Sequence, residues 1–227
     1  MPAATTTWQS GQAMNQPAPR IVRRPYGGTP AADRRAQRRA ALLDAALDLL
    51  AAEGVTAVTV RKVCAAAKLN DRYFRESFAD IDDLMGAVME HHIALALTTL
   101  TEAAGQGDTP AEQTRLVVNT ALDFLTEDPR RARLFIESQA TATLRTGRQQ
   151  LTKLVAVLVV SEARRQHITG PATDSDFELT ALTLVSGCLE VLAMWLRGDL
   201  TTERTAFTNF LVTMILTATH TEPATKI

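Results

Sequence analysis

Apolar residues recur along this chain at intervals of three and four positions, which is the spacing of one face of an α-helix. The stripe nearest the N-terminus contains Leu42, Leu47 and Leu50, and Gly54 follows it as a helix stop. A Val-rich stretch at residues 154–160 would also suit a strand, but the length of its segment and the flanking charges favour a helix. The pattern predicts an all-α protein with about nine helices.

Capping residues, prolines and glycines place the ends of these helices. Thr109 and Glu112 have the spacing of a capping box, and Asp128 followed by Pro129 opens the next helix. The predicted helices cover about residues 30–54, 60–67, 70–77, 80–104, 144–166, 174–197 and 202–219, with two more that begin at residues 109 and 128.

In the first third of the chain, two of the short helices are joined by a tight turn at residues 68–69. Thr59 can cap the first of them and Asn70 the second, because their side-chain oxygens accept backbone N–H groups of the first turn. Phe74 and Phe78, four residues apart, anchor the second helix. The side chains left pointing outward are Arg61, Lys62, Lys68, Arg72, Tyr73 and Arg75. This arrangement is typical of a helix-turn-helix that offers its second helix to a DNA major groove.

Charge is distributed unevenly along the chain. Residues 1–78 carry 12 Lys and Arg against 6 Asp and Glu, and residues 79–227 carry 12 against 19, so the net charges are +6 and −7. A basic front on an acidic body indicates that only the front meets a polyanion such as double-stranded DNA.

Residues 1–29 are rich in proline and polar side chains, so they are predicted to form a disordered basic arm. The arginines assigned to this arm and its continuation are Arg20, Arg23, Arg24, Arg34 and Arg35. Two interpretations stay open for them. They are either solvated charges or a flexible cluster that lies along phosphates or enters the minor groove.

The N-terminal segment has no apolar core and does not resemble a secretory signal. The longest aliphatic run, residues 154–160, is too short to cross a bilayer. We therefore expect a cytoplasmic protein with no membrane partner. Cys64 and Cys188 lie on predicted apolar helix faces without ligand spacing, which favours buried, reduced thiols.

The segment TVRKVCAAAKLNDRYFRESFADIDDL resembles the pattern T-V-x-x-[IV]-A-x-x-A-G-[VL]-S-x-x-x-[FL]-Y-x-x-F-x-x-K-x-x-L of TetR-family (tetracycline-repressor-type) transcriptional regulators. The resemblance implies a three-helix DNA-binding domain at residues 30–80 and an effector-binding and dimerisation domain at residues 81–227. It also implies a homodimer built from helices 8 and 9 and an unidentified small-molecule effector that releases a repressor from its operator.

Four positions depart from the family pattern. Lys68 replaces the usual Gly of the turn, Arg75 a frequent Tyr of the recognition helix, and Ile81 a phosphate-contacting Lys. Asn70 replaces Ser as an equivalent cap. If the turn needs a positive φ, Lys costs about 1–2 kcal/mol there. The domain and its docking mode are compatible with these changes, but the operator sequence does not carry over.

Arg61, Arg72 and Arg75 are the candidate base-reading residues, because the planar guanidinium can donate two hydrogen bonds to guanine. The alternative is solvated charge or, for Arg72 and Arg75, pairing with a neighbouring carboxylate. The remaining candidate DNA contacts are Thr59, Lys62, Lys68, Asn70, Asp71 and Tyr73. For Tyr73, packing against helix 1 is nearly as plausible as a bond to phosphate.

By the same resemblance, the effector pocket would lie among helices 4 to 8. Its candidate lining residues are Met89, Ile93, Leu97, Phe124, Phe135, Leu158 and Trp195, each with core packing as the alternative. His92 could offer a polar contact, although a satisfied interior histidine is the better interpretation. An aromatic and aliphatic lining would favour an apolar or amphipathic ligand.

Two other functions compete with a ligand-responsive regulator. A constitutive or architectural DNA-binding protein would keep the helix-turn-helix but lack effector control. A helical enzyme is disfavoured, because the sequence contains no Gly-rich phosphate loop, metal-ligand cluster or nucleophile elbow. We therefore predict no cofactor, no metal site and no catalytic residues.

Overall fold

The computed structural model describes residues 31–165 and 174–219, and all regular structure in these ranges is helical. The helices are α1 (Ala31–Glu53), α2 (Val60–Ala66), α3 (Asp71–Arg75), α4 (Ile81–Ala104), α5 (Pro110–Thr126), α6 (Pro129–Glu137), α7 (Ala142–Arg165), α8 (Asp174–Arg197) and α9 (Arg204–Thr219), with one 3-10 turn at Val55–Ala57. The predicted all-α architecture is confirmed. The two short helices end earlier than predicted, at residues 66 and 75.

Local side chains set several of these ends. The Thr109 hydroxyl accepts the N–H of Glu112 at 3.2 Å, and the Glu112 carboxylate accepts the N–H of Thr109 at 3.1 Å, which completes the predicted capping box. Asp128 caps α6 by accepting the N–H of Arg130 at 3.0 Å. Gly198 ends α8 with a φ of 83°, a conformation that glycine adopts without a steric penalty.

One hydrophobic core joins α1, α2 and α3 to the N-terminal half of α4. Leu84 and Val88 of α4 are fully buried in this core, beside Leu42 and Leu50 of α1. Packing therefore continues across residue 80, where the sequence placed a domain boundary, and that boundary stays a prediction. Because α4 shares this core, the short helices are held on a long rigid element that continues into the rest of the protein.

The C-terminal part contains two further cores. One is formed by α5 with α9 and the second half of α8, and Phe207 and Leu122 are almost fully buried there. The other lies between α7 and α8. Among the described residues, Ser175–Arg197 is the one segment long and apolar enough to span a membrane by length and composition. It packs against α7 and α9, and core helices pass the same test.

Arg130 connects the two parts of the molecule by ion pairs. Its guanidinium lies 2.9 Å from the carboxylate of Asp44 and 2.6 Å from that of Asp48, both on α1. It also lies 3.0 Å from the carboxylate of Asp128 at the start of α6. Hydrogen bonds from Arg130 lower the pKa of Asp128 below its usual value. We call these four residues the Arg130 joint.

Candidate nucleic-acid interface and ligand cavity

The two short helices begin where the sequence predicted, at side-chain caps. The Thr59 hydroxyl accepts the N–H of Lys62 at 3.4 Å, and the Asn70 side chain accepts the N–H of Tyr73 at 3.2 Å. Each cap uses one orphan donor and leaves the other N–H groups of the first turn at an exposed helix start. Such groups suit phosphate oxygens.

The turn between α2 and α3 is tight and locally strained. Lys68 has a φ of 55°, and it is the one non-glycine residue with a positive φ in the described ranges. The N–H of Leu69 donates to the carbonyl of Cys64 at 2.9 Å, which closes the turn. An L-residue pays about 1–2 kcal/mol in this region. The conditional cost stated for Lys68 therefore applies, and its side chain is exposed to solvent.

A buried anchor fixes the orientation of α3. Phe74 is only 1% exposed and its ring lies 5.8 Å from that of Phe78. With this face buried, the opposite face of the motif presents Arg61, Arg72 and Arg75 to solvent. The three arginines predicted to read bases are therefore accessible, and their contact with DNA stays a prediction.

Several predicted contacts already have protein partners. Arg72 pairs with Glu76 at 3.2 Å, which is the alternative stated for it in the sequence analysis. The ammonium of Lys62 lies 2.6 Å from the carboxylate of Glu53. The side chain of Arg72 is 83% exposed, so its ion pair is worth at most about 1 kcal/mol and can exchange for a phosphate or a base.

Tyr73 is half-buried and packs against helix α1, since the guanidinium of Arg38 lies 4.5 Å from the centre of its ring. Its contact with helix 1 is therefore seen, and its contact with phosphate stays a prediction. Asp71 is exposed, and its carboxylate adds to the effect of burial on the pKa of the Cys64 thiol. Burial is the main reason why the pKa of Cys64 is raised, which matches the predicted buried, reduced thiol.

The basic arm needs a correction. Arg34 and Arg35 do not belong to an arm, because they lie in the first turns of α1. Arg35 donates a hydrogen bond to the backbone carbonyl of Glu76, beyond the end of α3, so it braces the motif from within. Arg20, Arg23 and Arg24 lie outside the described residues.

A cavity of about 190 Å³ lies among helices α4 to α9. Met89, Ile93, Phe124 and Phe135 line it, as placed by the sequence analysis. The remaining lining is almost wholly aliphatic and includes residues of α9, Leu211 and Ile215, a helix that was not expected to contribute. Small apolar ligands occupy spaces of this kind.

Three residues predicted for the pocket do not line this cavity. Leu97 packs on the core around α1, because α4 turns that side chain toward the N-terminal part. Trp195 stacks on Phe207 with ring centres 5.2 Å apart, and its indole N–H donates to the carbonyl of Thr202 at 2.9 Å. Leu158 is half-buried on α7, away from the cavity wall.

The sequence analysis missed two of the three polar side chains at the cavity: Arg131 and Cys188. The third is His92, whose Nδ1 lies 2.9 Å from the carbonyl of Val88. Burial lowers the pKa of His92 and raises that of Cys188. Apolar periodicity does not identify an arginine at the start of a helix as a lining residue. No sequence signal distinguished Arg131 from Arg130 and Arg133.

Another buried cation lies behind the cavity wall. Arg148 of α7 is 6% exposed, and its guanidinium sits 3.9 Å from the centre of the Phe135 ring. It also lies 3.4 Å from the Ser138 hydroxyl, and burial lowers the pKa of Arg148 to about 10. Phe135 is therefore fixed between the cavity and a buried charge.

The helix-turn-helix region has recognisable relatives. Residues 42–88, which contain α2, α3 and most of the core around them, match the family model of bacterial regulatory proteins of the tetR family. These residues form a TetR-family DNA-binding domain. The helix-turn-helix is thus of the kind that bacterial regulatory proteins of this family carry, and none of the curated proteins matches this sequence.

Solved structures extend the likeness of this chain to both of its parts. A TetR-like regulator from Rhodococcus sp. RHA1 is 21% identical, with a TM-score of 0.61 over 79% of this chain and 94% of that one. The FadR regulator from Bacillus subtilis, solved in complex with stearoyl-CoA, is 17% identical, with a TM-score of 0.64 over 81% and 99%. At these identities the likeness shows the shared fold.

Proposed function

We propose that this TetR-family protein is a dimeric repressor that a small apolar or amphipathic effector releases from its operator. One observation carries the proposal. A helix-turn-helix with exposed arginines is joined through the Arg130 joint to a helical domain that encloses an apolar cavity. Binding of a ligand in the cavity would then change the affinity of the helix-turn-helix for DNA.

In this proposal α3 enters the major groove. Arg61, Arg72 and Arg75 read base edges, while Lys68 and the starts of α2 and α3 hold phosphates. Lys62 and Tyr73 support the motif from positions that already contact α1 or its end. Action on chromosomal DNA would place the protein in the cytoplasm.

The dimer would form through α8 and α9. Leu179 on α8 is 60% exposed, and Phe210 and Met214 on α9 are 51% and 44% exposed. Burying such residues against a second copy removes an apolar surface that a monomer would leave in water. The two α3 helices would then need a separation of about 34–36 Å to enter successive major grooves.

The cavity supports effector control over a constitutive or architectural role. Its lining is aliphatic and aromatic, and Phe124 and Phe135 form part of its wall. The structural relative from Bacillus subtilis was solved with the amphipathic molecule stearoyl-CoA. An architectural DNA-binding protein would have no use for such a space.

A mobility-shift titration with the DNA upstream of the protein's own gene tests the proposal. We expect a retarded complex with two chains per site that resists competitor DNA. An apolar compound that binds in the cavity should dissociate this complex. Scrambled DNA of the same length is the control. Equal affinity for both DNAs would contradict sequence-specific regulation, and a specific complex that no cavity ligand affects would contradict effector control.

A further inference from the structure

Arg131 is a cationic group on the wall of an otherwise apolar cavity. Its guanidinium lies 4.4 Å from the centre of the Phe124 ring, and its Nη1 donates to the Phe124 carbonyl at 3.1 Å. Its Nε–H is buried and has no hydrogen-bond acceptor among the described residues. A buried donor without an acceptor costs free energy that a suitable ligand would recover.

The nearest carboxylate does not satisfy this donor. Asp128 lies 3.9 Å from the Nε of Arg131, beyond hydrogen-bond distance. Both oxygens of Asp128 are engaged by Arg130, with contacts of 3.0 Å to Nε and 3.0 Å to Nη2. The charge of Asp128 is thus shared with the Arg130 joint, and Arg131 keeps attraction for a second anion.

His92 is a second polar side chain that lines this cavity. Because its Nδ1 lies 2.9 Å from a carbonyl oxygen, Nδ1 carries the hydrogen in that bond. On protonation Nε2 would also carry a hydrogen, so His92 would then donate a hydrogen bond to an anion rather than repel it. Arg131 gives the wall near His92 a positive character, whereas the rest of the wall, apart from Cys188, is hydrocarbon.

Size and surroundings limit the ligand further. A cavity of about 150 Å³ holds benzene, so about 190 Å³ suits an apolar body of roughly eight heavy atoms. Outside, Arg131 and Phe124 also border a second depression that contains Asp123 and Glu127. Asp123 is paired with Arg204, so the carboxylate of Glu127 is the group that repels a polyphosphate head group, whereas a single negative charge can be neutralised at Arg131.

We propose that the effector is a free monocarboxylic acid with a compact apolar body, whose carboxylate pairs with Arg131 while the body fills the cavity. This inference rests on the proposed effector function and adds to it the chemical class of the ligand and the residue that recognises it. The guanidinium donates to the carboxylate through the Nε–H that lacks an acceptor in the ligand-free protein.

Calorimetric titration of the full chain, without DNA, with octanoate, 1-octanol and octanoyl-CoA tests the class of ligand. The three compounds share the C8 chain and differ in the head group. We expect octanoate to bind at least about tenfold more tightly than either of the others, since a charge-assisted hydrogen bond separates it from the alcohol. Equal or tighter binding of 1-octanol or of octanoyl-CoA would overturn the proposal.

Variants of Arg131 test the residue. Arg131→Gln should weaken the binding of octanoate at least about tenfold and leave the affinity for 1-octanol within about twofold of its original value. Arg131→Lys should recover part of the lost octanoate affinity. Arg133→Gln is the matched control, because Arg133 lies on the same helix but pairs with Glu137 at 2.7 Å. Parallel losses for acid and alcohol would assign Arg131 a packing role only.

These results are separate from the test of the proposed function. Were a neutral apolar compound to bind the cavity and release operator DNA while octanoate did not bind, the carboxylate proposal would fail and effector control would stand. If octanoate bound but had no effect on a specific DNA complex, the carboxylate proposal would stand and effector control would fail.

Discussion

The DNA-facing surface and the ligand cavity are built in opposite ways. The outward-facing side chains of the helix-turn-helix come from residues 59–78, and two caps, the Phe74 anchor and contacts from α1 hold the motif in place. The cavity wall comes from six helices between residues 89 and 215. The helix-turn-helix is tightly packed inside and polar outside, whereas the cavity is a space whose wall needs residues from several helices. The difference predicts which substitutions destabilise the protein and which change its specificity.

Truncating the anchor should have the largest effect. Phe74→Ala removes a fully buried ring and should cost about 3–5 kcal/mol of unfolding free energy. Leu189→Ala is the matched change at the cavity, and it should cost less than about 2 kcal/mol, because its atoms already face empty space. Urea unfolding of both variants measures the difference. Comparable losses would mean that the cavity collapses in solution.

Removing the exposed arginines should separate specificity from stability. Arg72→Ala or Arg75→Ala should cost about 1–3 kcal/mol of preference for the operator over scrambled DNA, with unfolding free energy nearly unchanged. Leu189→Ala should leave operator preference intact. Competition binding at fixed salt measures the preference. An equal loss of affinity for both DNAs would show that the two arginines contact phosphates only.

Relieving the turn should have a smaller effect of the opposite sign. Lys68→Gly should raise the unfolding free energy by about 1 kcal/mol, because glycine adopts a positive φ without the Cβ clash. The same change should weaken binding to any DNA slightly, since one positive charge is lost. Unfolding curves and the salt dependence of nonspecific binding check both parts. A destabilised variant would show that the Lys68 side chain contributes more than its backbone costs.

The cavity, unlike the helix-turn-helix, should respond to mild acid. Burial lowers the pKa of His92, so the folded protein binds its proton less readily than the unfolded chain does. Stability should therefore fall as pH drops below about 6.5 and level off below the pKa of the folded state. His92→Gln should remove this decline, whereas His91→Gln, on the exposed side of α4, should keep it. Melting temperatures at pH 7.5 and 5.5 provide the check.

These contrasts explain how far sequence reasoning reached. Thr59, Asn70 and Thr109 were identified as caps because a cap depends on neighbours within one turn. Trp195 does not line the cavity, because apolar spacing shows that a side chain is buried but not which helix buries it. Here that partner is Phe207, on the next helix. Arg131 was missed because its role arises only when α6 lies beside Phe124 of α5.

The peptide bond between Arg130 and Arg131 has a mechanical consequence. One residue grips Asp44 and Asp48 on α1, and the next lies on the cavity wall, with Cα atoms about 3.8 Å apart. Neighbours on one rigid turn cannot shift separately. A displacement of α6 that lifts Arg131 from Phe124 must also pull on bonds of 2.6 and 2.9 Å to the helix that braces α3. The cavity wall and the ion pairs to α1 are thus one peptide bond apart.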